Sequence, residues 1–289
     1  MPDALIDGIV LLGVAVVLPL ALGHARRWMV VAVAVAASIV LPTGPIAAAC
    51  VAVWFVVALW SLADAVRRAL AAGPAPSLEP SLVARLSAPA VAHLAAPAFG
   101  CVAAVAFASS RGGVSLFGIG EPIVELTAVH FTYAGVGAVA LAGVVARGHG
   151  LVGTAAVALT VSAPPVVALG FLVEHPVAQV GGAVLMTVGV YLVAGLQLLD
   201  VRTAHGAARL LLVVSGLAPW VPMVLAVAWA TSLYADVPAL SIPDMVRTHG
   251  TMNAVFVVAG LIARTFQGGV DAAAATGEPV GVAREVTVP

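Results

Sequence analysis

The sequence contains no lysine and very little charge of either sign. Charged residues make up 9% of the chain and hydrophobic residues 62%, whereas a soluble domain carries about 25% charged residues. The mean hydropathy is +1.15. A chain with so little polar surface cannot cover itself in water, so the composition excludes a soluble globular protein and predicts an integral membrane protein. The net charge of −1 also argues against a nucleic-acid partner, because surfaces that bind nucleic acid are basic.

Cysteine is almost absent too. Cys50 and Cys101 both lie in apolar runs, where a cysteine usually acts as a small core residue, and two such residues predict neither a disulfide framework nor a thiolate metal site. No Walker loop, no dinucleotide-binding glycine loop in a strand–helix context and no serine-nucleophile elbow is in place. We therefore predict no cofactor.

What the sequence has in abundance is long apolar runs. A membrane-spanning helix needs about 20 apolar residues, and nine stretches are candidates: 4–22, 27–41, 46–63, 90–108, 122–146, 151–172, 177–199, 209–233 and 246–266. The second is short and is joined to the third by a tight turn between Pro42 and Pro45, so seven or eight spans remain alternatives. The sequence predicts an all-α polytopic transmembrane bundle of about nine spans over 1–266. Residues 267–289 are predicted to be a disordered cytoplasmic tail.

The arginines predict the orientation of this bundle, because basic connections stay on the cytoplasmic side. Ten of the twelve arginines lie on alternate connections, at positions Arg26, Arg27, Arg67, Arg68, Arg85, Arg147, Arg202, Arg209, Arg264 and Arg284. Only Arg111 and Arg247 lie on the opposite side. We expect a protein of a bacterial plasma membrane with its N-terminus outside and its C-terminus in the cytoplasm.

Two stretches carry ionisable residues into the predicted membrane. Residues 121–135 and 241–253 each have a proline near the start, then an acid, then a histidine. With a rise of about 1.5 Å per residue, His130 lies roughly 12 Å below Pro122 and His249 roughly 9 Å below Pro243. Ionisable groups at such depths are costly and normally face the protein interior. The pattern predicts a polar site in the outer half of the bilayer, between spans five and nine.

Helical geometry restricts which of these residues can act together. Glu121 and Glu125 share a face of span five, whereas His130 lies about 140° round from Glu125, nearer Thr127 and Tyr133.

On span nine, His249 and Asn253 share a face, and Asp244 and Arg247 are spaced to pair with each other. A joint site therefore requires spans five and nine to pack together, which the sequence permits without showing it.

Each of these residues also has a structural interpretation. Glu121 and Asp244 are acids at helix starts, which the helix dipole favours, and a membrane histidine can simply bond a neighbouring carbonyl. A metal site would need His130, His249 and a carboxylate, but neither helix has two histidines at ligand spacing. We predict no metal.

The segments Leu126–Gly135 and Ile242–Asn253 resemble the two signature stretches of the YndJ-like family of bacterial membrane proteins. The likeness extends over most of the chain and includes Leu18-Pro19-Leu20. The family's first stretch often reads His-Phe-His-Tyr-Ala-Gly, and here Thr132 replaces the second histidine. The resemblance implies that His130 and His249 matter and implies no particular reaction.

Our leading hypothesis is a membrane-embedded acid–base enzyme, of isomerase or cyclase type, acting on a lipophilic, isoprenoid-like small molecule or lipid. The predicted catalytic residues are Glu125, His130, Arg247, His249 and Asn253. The predicted substrate-binding residues are Glu121, Thr127, Tyr133 and Asp244. The alternatives are a small transporter or proton-coupled carrier, in which the same residues form a relay, and a non-catalytic binding or accessory protein.

Overall fold

The structure, a computed structural model, describes residues 2–71 and 87–276. These residues form nine helices and no strand. The helices are α1 (2–22), α2 (Ala25–Val40), α3 (Pro45–Ala71), α4 (Ala88–Gly112), α5 (Ile123–Gly148), α6 (Gly150–Leu172), α7 (Pro176–Asp200), α8 (Gly206–Ser232) and α9 (242–276). Eight of them are long and apolar enough to cross a membrane. The predicted all-α membrane bundle is confirmed.

The short helix is α2, as the sequence predicts. Its 16 residues span about 24 Å, less than the roughly 30 Å of a hydrocarbon core. At its C-terminal end, Arg111 of α4 donates hydrogen bonds of 2.8 Å to the carbonyls of Ser38 and Leu41. At its N-terminal end, the Arg27 guanidinium lies 3.4 Å from the centre of the Trp60 ring on α3. α2 therefore returns the chain from one end of the bundle to the other, and the nine helices alternate in direction.

Two helices run further than the apolar pattern indicates. α3 continues past the predicted end at 63 to Ala71, and its last turns carry Asp64 paired with Arg67 and Arg68. α9 continues past 266 to Thr276. The predicted tail beyond 276 and most of the connection between α3 and α4 (72–86) lie outside the described residues. Apolar content marks the part of a helix that lies in hydrocarbon, and a helix can extend beyond it into the interface.

α5 is the central helix of the bundle. In its most apolar window 72% of the residues are buried inside the protein, against 28–50% for the other seven long helices. Small residues allow this close packing. A Cβ added at Gly135 would lie 2.8 Å from the Cβ of Phe99 on α4, and one at Gly137 would lie 2.4 Å from Val257 on α9 and 2.9 Å from Val17 on α1. The structure thus packs α5 against α9, as the joint site requires.

Three helices contain a π-helical segment, and these three helices meet. The segments are Gly13–Val17 in α1, Phe131–Ala138 in α5 and Val246–Gly250 in α9. The segment of α1 contacts that of α5, α9 contacts both, and α1 also contacts the segment of α9. π-Helical turns are rare and occur frequently at functional sites.

The topology makes a testable prediction about orientation. The two arginines at the end of the bundle that carries His130 and His249 (the histidine end) both have protein partners, since Arg111 binds α2 carbonyls and Arg247 pairs with Asp244. Because protein contacts account for these two arginines, they do not argue against the orientation that the other ten arginines predict. We expect reporter fusions after positions 43, 115, 174 and 238 to report the outside, and fusions after 148 and 205 to report the cytoplasm. The reverse pattern would place the histidine end in the cytoplasm.

Candidate functional site

His249 is held in place by α8 and by its own helix. Its Nδ1 atom lies 2.8 Å from the carbonyl oxygen of Pro222. Because a carbonyl can only accept, Nδ1 carries the hydrogen, and Nε2 of the neutral ring keeps its lone pair. Asn253 donates from Nδ2 to the His249 carbonyl at 2.8 Å and lies 3.5 Å from Nε2. The predicted common face of His249 and Asn253 is confirmed.

His130 is the second imidazole of the site. It is the last residue of the α-helical segment Ile123–His130 and immediately precedes the π-helical segment of α5. Its Nε2 atom is buried and has no hydrogen-bond partner among the described residues. His130 and His249 lie on α5 and α9, the two helices that pack together at Gly137 and Val257. A buried polar atom without a partner is uncommon in proteins and calls for an explanation such as a catalytic role or a missing ligand.

α1 forms a third side of the site, which the sequence did not predict. The Tyr133 hydroxyl donates to the carbonyl of Ile9 at 2.9 Å. A Cβ at Gly13 would lie 2.7 Å from the Cγ2 of Thr132, so the glycine lets α1 approach α5. The sequence predicts that Tyr133 binds substrate. In the structure Tyr133 is buried, and its hydroxyl group is hydrogen-bonded to the backbone of α1.

Asp7 is a candidate that sequence reasoning missed. It is half-buried in α1, and α1 contacts the first α-helical segment of α5. The sequence feature that could have identified Asp7 is an acidic residue within the apolar first span, because such residues are costly in a membrane and usually functional.

The two glutamates and Thr127 occupy the start of α5. Glu121 is exposed and precedes the helix, and Glu125 is half-buried in its first turn. The Thr127 hydroxyl donates to the Ile123 carbonyl at 2.7 Å. Because the helix is α-helical from Ile123 to His130, the expected 140° between Glu125 and His130 is retained, so the two residues project from different faces of α5.

Asp244 and Arg247 form the predicted pair, with Nη1 and Oδ1 3.1 Å apart. The Ser241 hydroxyl accepts from the backbone N–H of Asp244 at 3.3 Å and donates to its carboxylate at 2.7 Å, which is an N-terminal cap. The side chain of Arg247 is 57% exposed and that of Asp244 is 49% exposed. Both residues therefore stabilise the first turn of α9, as expected if their role is structural.

Among the described residues, no three His, Cys, Asp or Glu side chains are grouped as ligands for a metal ion. The chemistry available to the site is that of two imidazoles, an amide, a phenol and a nearby carboxylate.

The histidines, the Gly137 contact and all three π-helical segments lie within the part of the chain that a known family model matches. The model describes a YndJ-like protein and matches residues 8–257. The chain belongs to the YndJ-like family. No curated protein and no solved structure matches this YndJ-like chain. The match runs from α1 into α9, so the YndJ-like region includes both predicted signature stretches and the contact of Gly137 with Val257 between their helices.

Proposed function

We propose that this YndJ-like protein is a membrane-embedded acid–base enzyme of isomerase or cyclase type, acting on a lipophilic, isoprenoid-like substrate. The observation that carries the proposal is the buried Nε2 atom of His130, which has no partner among the described residues. Its helix, α5, packs against α9, which carries His249. Leaving such an atom unpaired costs about 1–3 kcal/mol. A proton-transfer role for the ring explains why this cost is tolerated.

The tautomer of His249 fits the role of a general base. With Nδ1–H held by Pro222, the lone pair of Nε2 can take a proton from an allylic carbon of the substrate. A protonated group, Glu125 or His130, returns a proton to the far carbon of the double bond. The substrate loses one proton and gains one, and return of the proton from His249 to the donor restores both groups, so the double bond moves without a cofactor.

The surroundings suit a substrate that reaches the site from the bilayer. The helices that form the site are those of a membrane bundle, and the Nε2 atom of His130 is buried among them. A water-poor setting of this kind protects a carbanion-like or carbocation-like intermediate from quenching. We further propose a bacterial plasma membrane as the location, with the site in the outer half.

One observation favours the alternative of a proton-coupled carrier. Ionisable groups lie at both ends of α5 and α9. His130 and His249 are at the histidine end, and at the opposite end His149, which follows α5, and Arg264 of α9 both contact Asp200 of α7. Polar chains that extend across a membrane protein are typical of proton relays. A carrier would use the same two imidazoles.

Mass spectrometry of lipids that co-purify with the protein tests the proposal. The wild type is expected to retain an isoprenoid-like molecule together with its isomer, and Glu125→Gln, which keeps shape and removes the titratable proton, is expected to retain a single form. His175→Gln, at an exposed histidine before α7, is the control and should match the wild type. Proton flux in reconstituted vesicles without isomer formation would instead support the carrier. A normal isomer mixture from Glu125→Gln at every pH would remove Glu125 from the mechanism.

A further inference from the structure

A cavity of about 540 Å³ lies at the end of the bundle opposite the histidine end. We call this the arginine end, because it carries Arg147, Arg202 and Arg264. The cavity lies between the α5–α6 junction, the α7–α8 connection and the last described turns of α9. Its polar lining residues are His149, Asp200, Thr203, His205, Arg264 and Gln267.

Among the described residues, Asp200 is the only acid that lines this cavity, and each of its oxygens has a partner. Oδ2 lies 2.6 Å from Nη2 of Arg264, and Oδ1 lies 3.3 Å from Nε2 of His149. The three side chains are only 14–21% exposed. His149 also places Nδ1 3.0 Å from the carbonyl of Val145. These contacts direct both the carboxylate of Asp200 and the imidazole of His149 toward groups of the protein.

The cavity also offers several hydrogen-bond donors. Gln267 accepts from Nη1 of Arg264 through Oε1 at 2.9 Å, which leaves its amide N–H groups as donors. Nε of Arg264 is buried without a partner among the described residues. The first-turn residues Ala207 and Ala208 of α8 also line the cavity, and first-turn N–H groups have no intrahelical acceptor.

Further positive charge lies at the same end of the bundle. Arg147 on the α5–α6 junction and Arg202 on the α7–α8 connection are exposed there, and Arg264 is the arginine among the described residues that lines the cavity itself. Anions bind where guanidinium groups and unsatisfied N–H donors converge. An acceptor-rich anion is therefore the ligand that this cavity suits.

We propose that the cavity at the arginine end binds a phosphate group, carried either by an anionic lipid headgroup or by a free phosphorylated compound. A phosphate has oxygens enough to accept from Gln267, from the α8 amides and from Arg264 together. Basic pockets between transmembrane helices bind lipid phosphates in this way. The site is separate from the two imidazoles and does not depend on the function proposed for them.

Native mass spectrometry and thermal unfolding of the full-length protein test this inference with three probes. The probes are inorganic phosphate, dihexanoyl phosphatidylglycerol and dihexanoyl glycerol, which lacks phosphate. Binding of the phospholipid with no binding of inorganic phosphate assigns the site to a headgroup, and competition by inorganic phosphate assigns it to a free compound. Equal binding of the phosphate-free glycerolipid, or no binding of any probe, overturns the inference.

Variants confirm that the bound probe occupies this cavity. Arg264→Gln is expected to weaken binding at least tenfold, and Gln267→Leu, which leaves the ion pair intact, several-fold. Asp200→Asn removes the competing carboxylate and is expected to tighten binding, a direction that a merely structural role would not produce. Arg67→Gln, an exposed arginine on α3, is the matched control and should bind like the wild type. Unchanged affinity in both Gln267→Leu and Asp200→Asn would overturn the inference even if Arg264→Gln fails to fold.

Discussion

Replacing His130 with leucine is expected to abolish the activity of the protein while leaving it at least as stable as the wild type. The substitution removes a buried nitrogen that has no partner among the described residues and retains most of the side-chain volume. Removing an unsatisfied buried polar atom recovers about 1–3 kcal/mol. Stability is measured as the free energy of unfolding in a titration with a denaturing detergent. Activity is measured by the ability of the variant to complement a deletion strain.

His249 provides the matched comparison on the facing helix. Its Nδ1 atom is bonded to the Pro222 carbonyl and its ring lies beside Asn253, so His249→Leu removes a hydrogen bond between α9 and α8. We expect this variant to lose about 0.5–1.5 kcal/mol of stability in addition to activity. Glutamine at either position should accumulate normally and remain inactive.

The contrast between the two histidines separates chemistry from packing. A residue retained for function at a cost in stability is stabilised when that function is removed. If His130→Leu lowers stability as much as His249→Leu, the Nε2 atom has a structural partner and the acid–base role of His130 is wrong. If His130→Leu complements the deletion strain, the ring takes no part in function.

The second large effect is expected at Gly137, in the middle of the buried helix. An added Cβ would lie 2.4 Å from Cγ1 of Val257 and 2.9 Å from Cγ1 of Val17, distances that no relaxed side chain can accept. Gly137→Ala is expected to cost about 1–3 kcal/mol, the usual penalty for overpacking, and Gly137→Leu is expected to separate α5 from α9 and prevent accumulation. Thermal unfolding in detergent and the amount of protein in the membrane measure the two effects.

A double variant tests whether this clash is the cause. Val257→Ala removes the atom nearest to the new methyl group, so Gly137→Ala combined with Val257→Ala is expected to be more stable than the sum of the single effects predicts. Gly195→Ala is the control, because nothing lies within 4 Å of its added Cβ and alanine favours the helix. Additive effects in the double variant would mean that α5 and α9 do not meet at this contact.

The bundle itself could be predicted from the sequence because its cause is local. Nine apolar runs correspond to nine helices, and the shortest run is the one helix that falls below the length of a membrane span. The two polar stretches were visible for the same reason, since a histidine within an apolar run differs from everything around it. The i to i+3 pairing of Asp244 with Arg247 and the i to i+4 face of His249 and Asn253 also followed from helical geometry.

The contacts that α1 makes with the site could not be predicted in this way. Nothing in residues 9–13 differs from any other apolar helix, yet Ile9 accepts the Tyr133 hydrogen bond and Gly13 admits Thr132. The π-helical segments were equally hidden. A π-helical turn is less favourable than an α-helical one when isolated and persists through its packing, so the local sequence does not encode it strongly.

The sequence by itself determined that this is a helical membrane protein, where its spans lie and which residues introduce charge into them, because each of these depends on the polarity of a single segment. Tertiary structure decided that α5 is the buried helix, that α1 and α9 both contact its π-helical segment, and that Asp200 joins His149 to Arg264 at the opposite end. Those features depend on which helix faces come together. In a membrane that choice is made by the fit of small residues such as Gly137 against their neighbours and not by hydrophobicity, which every span shares.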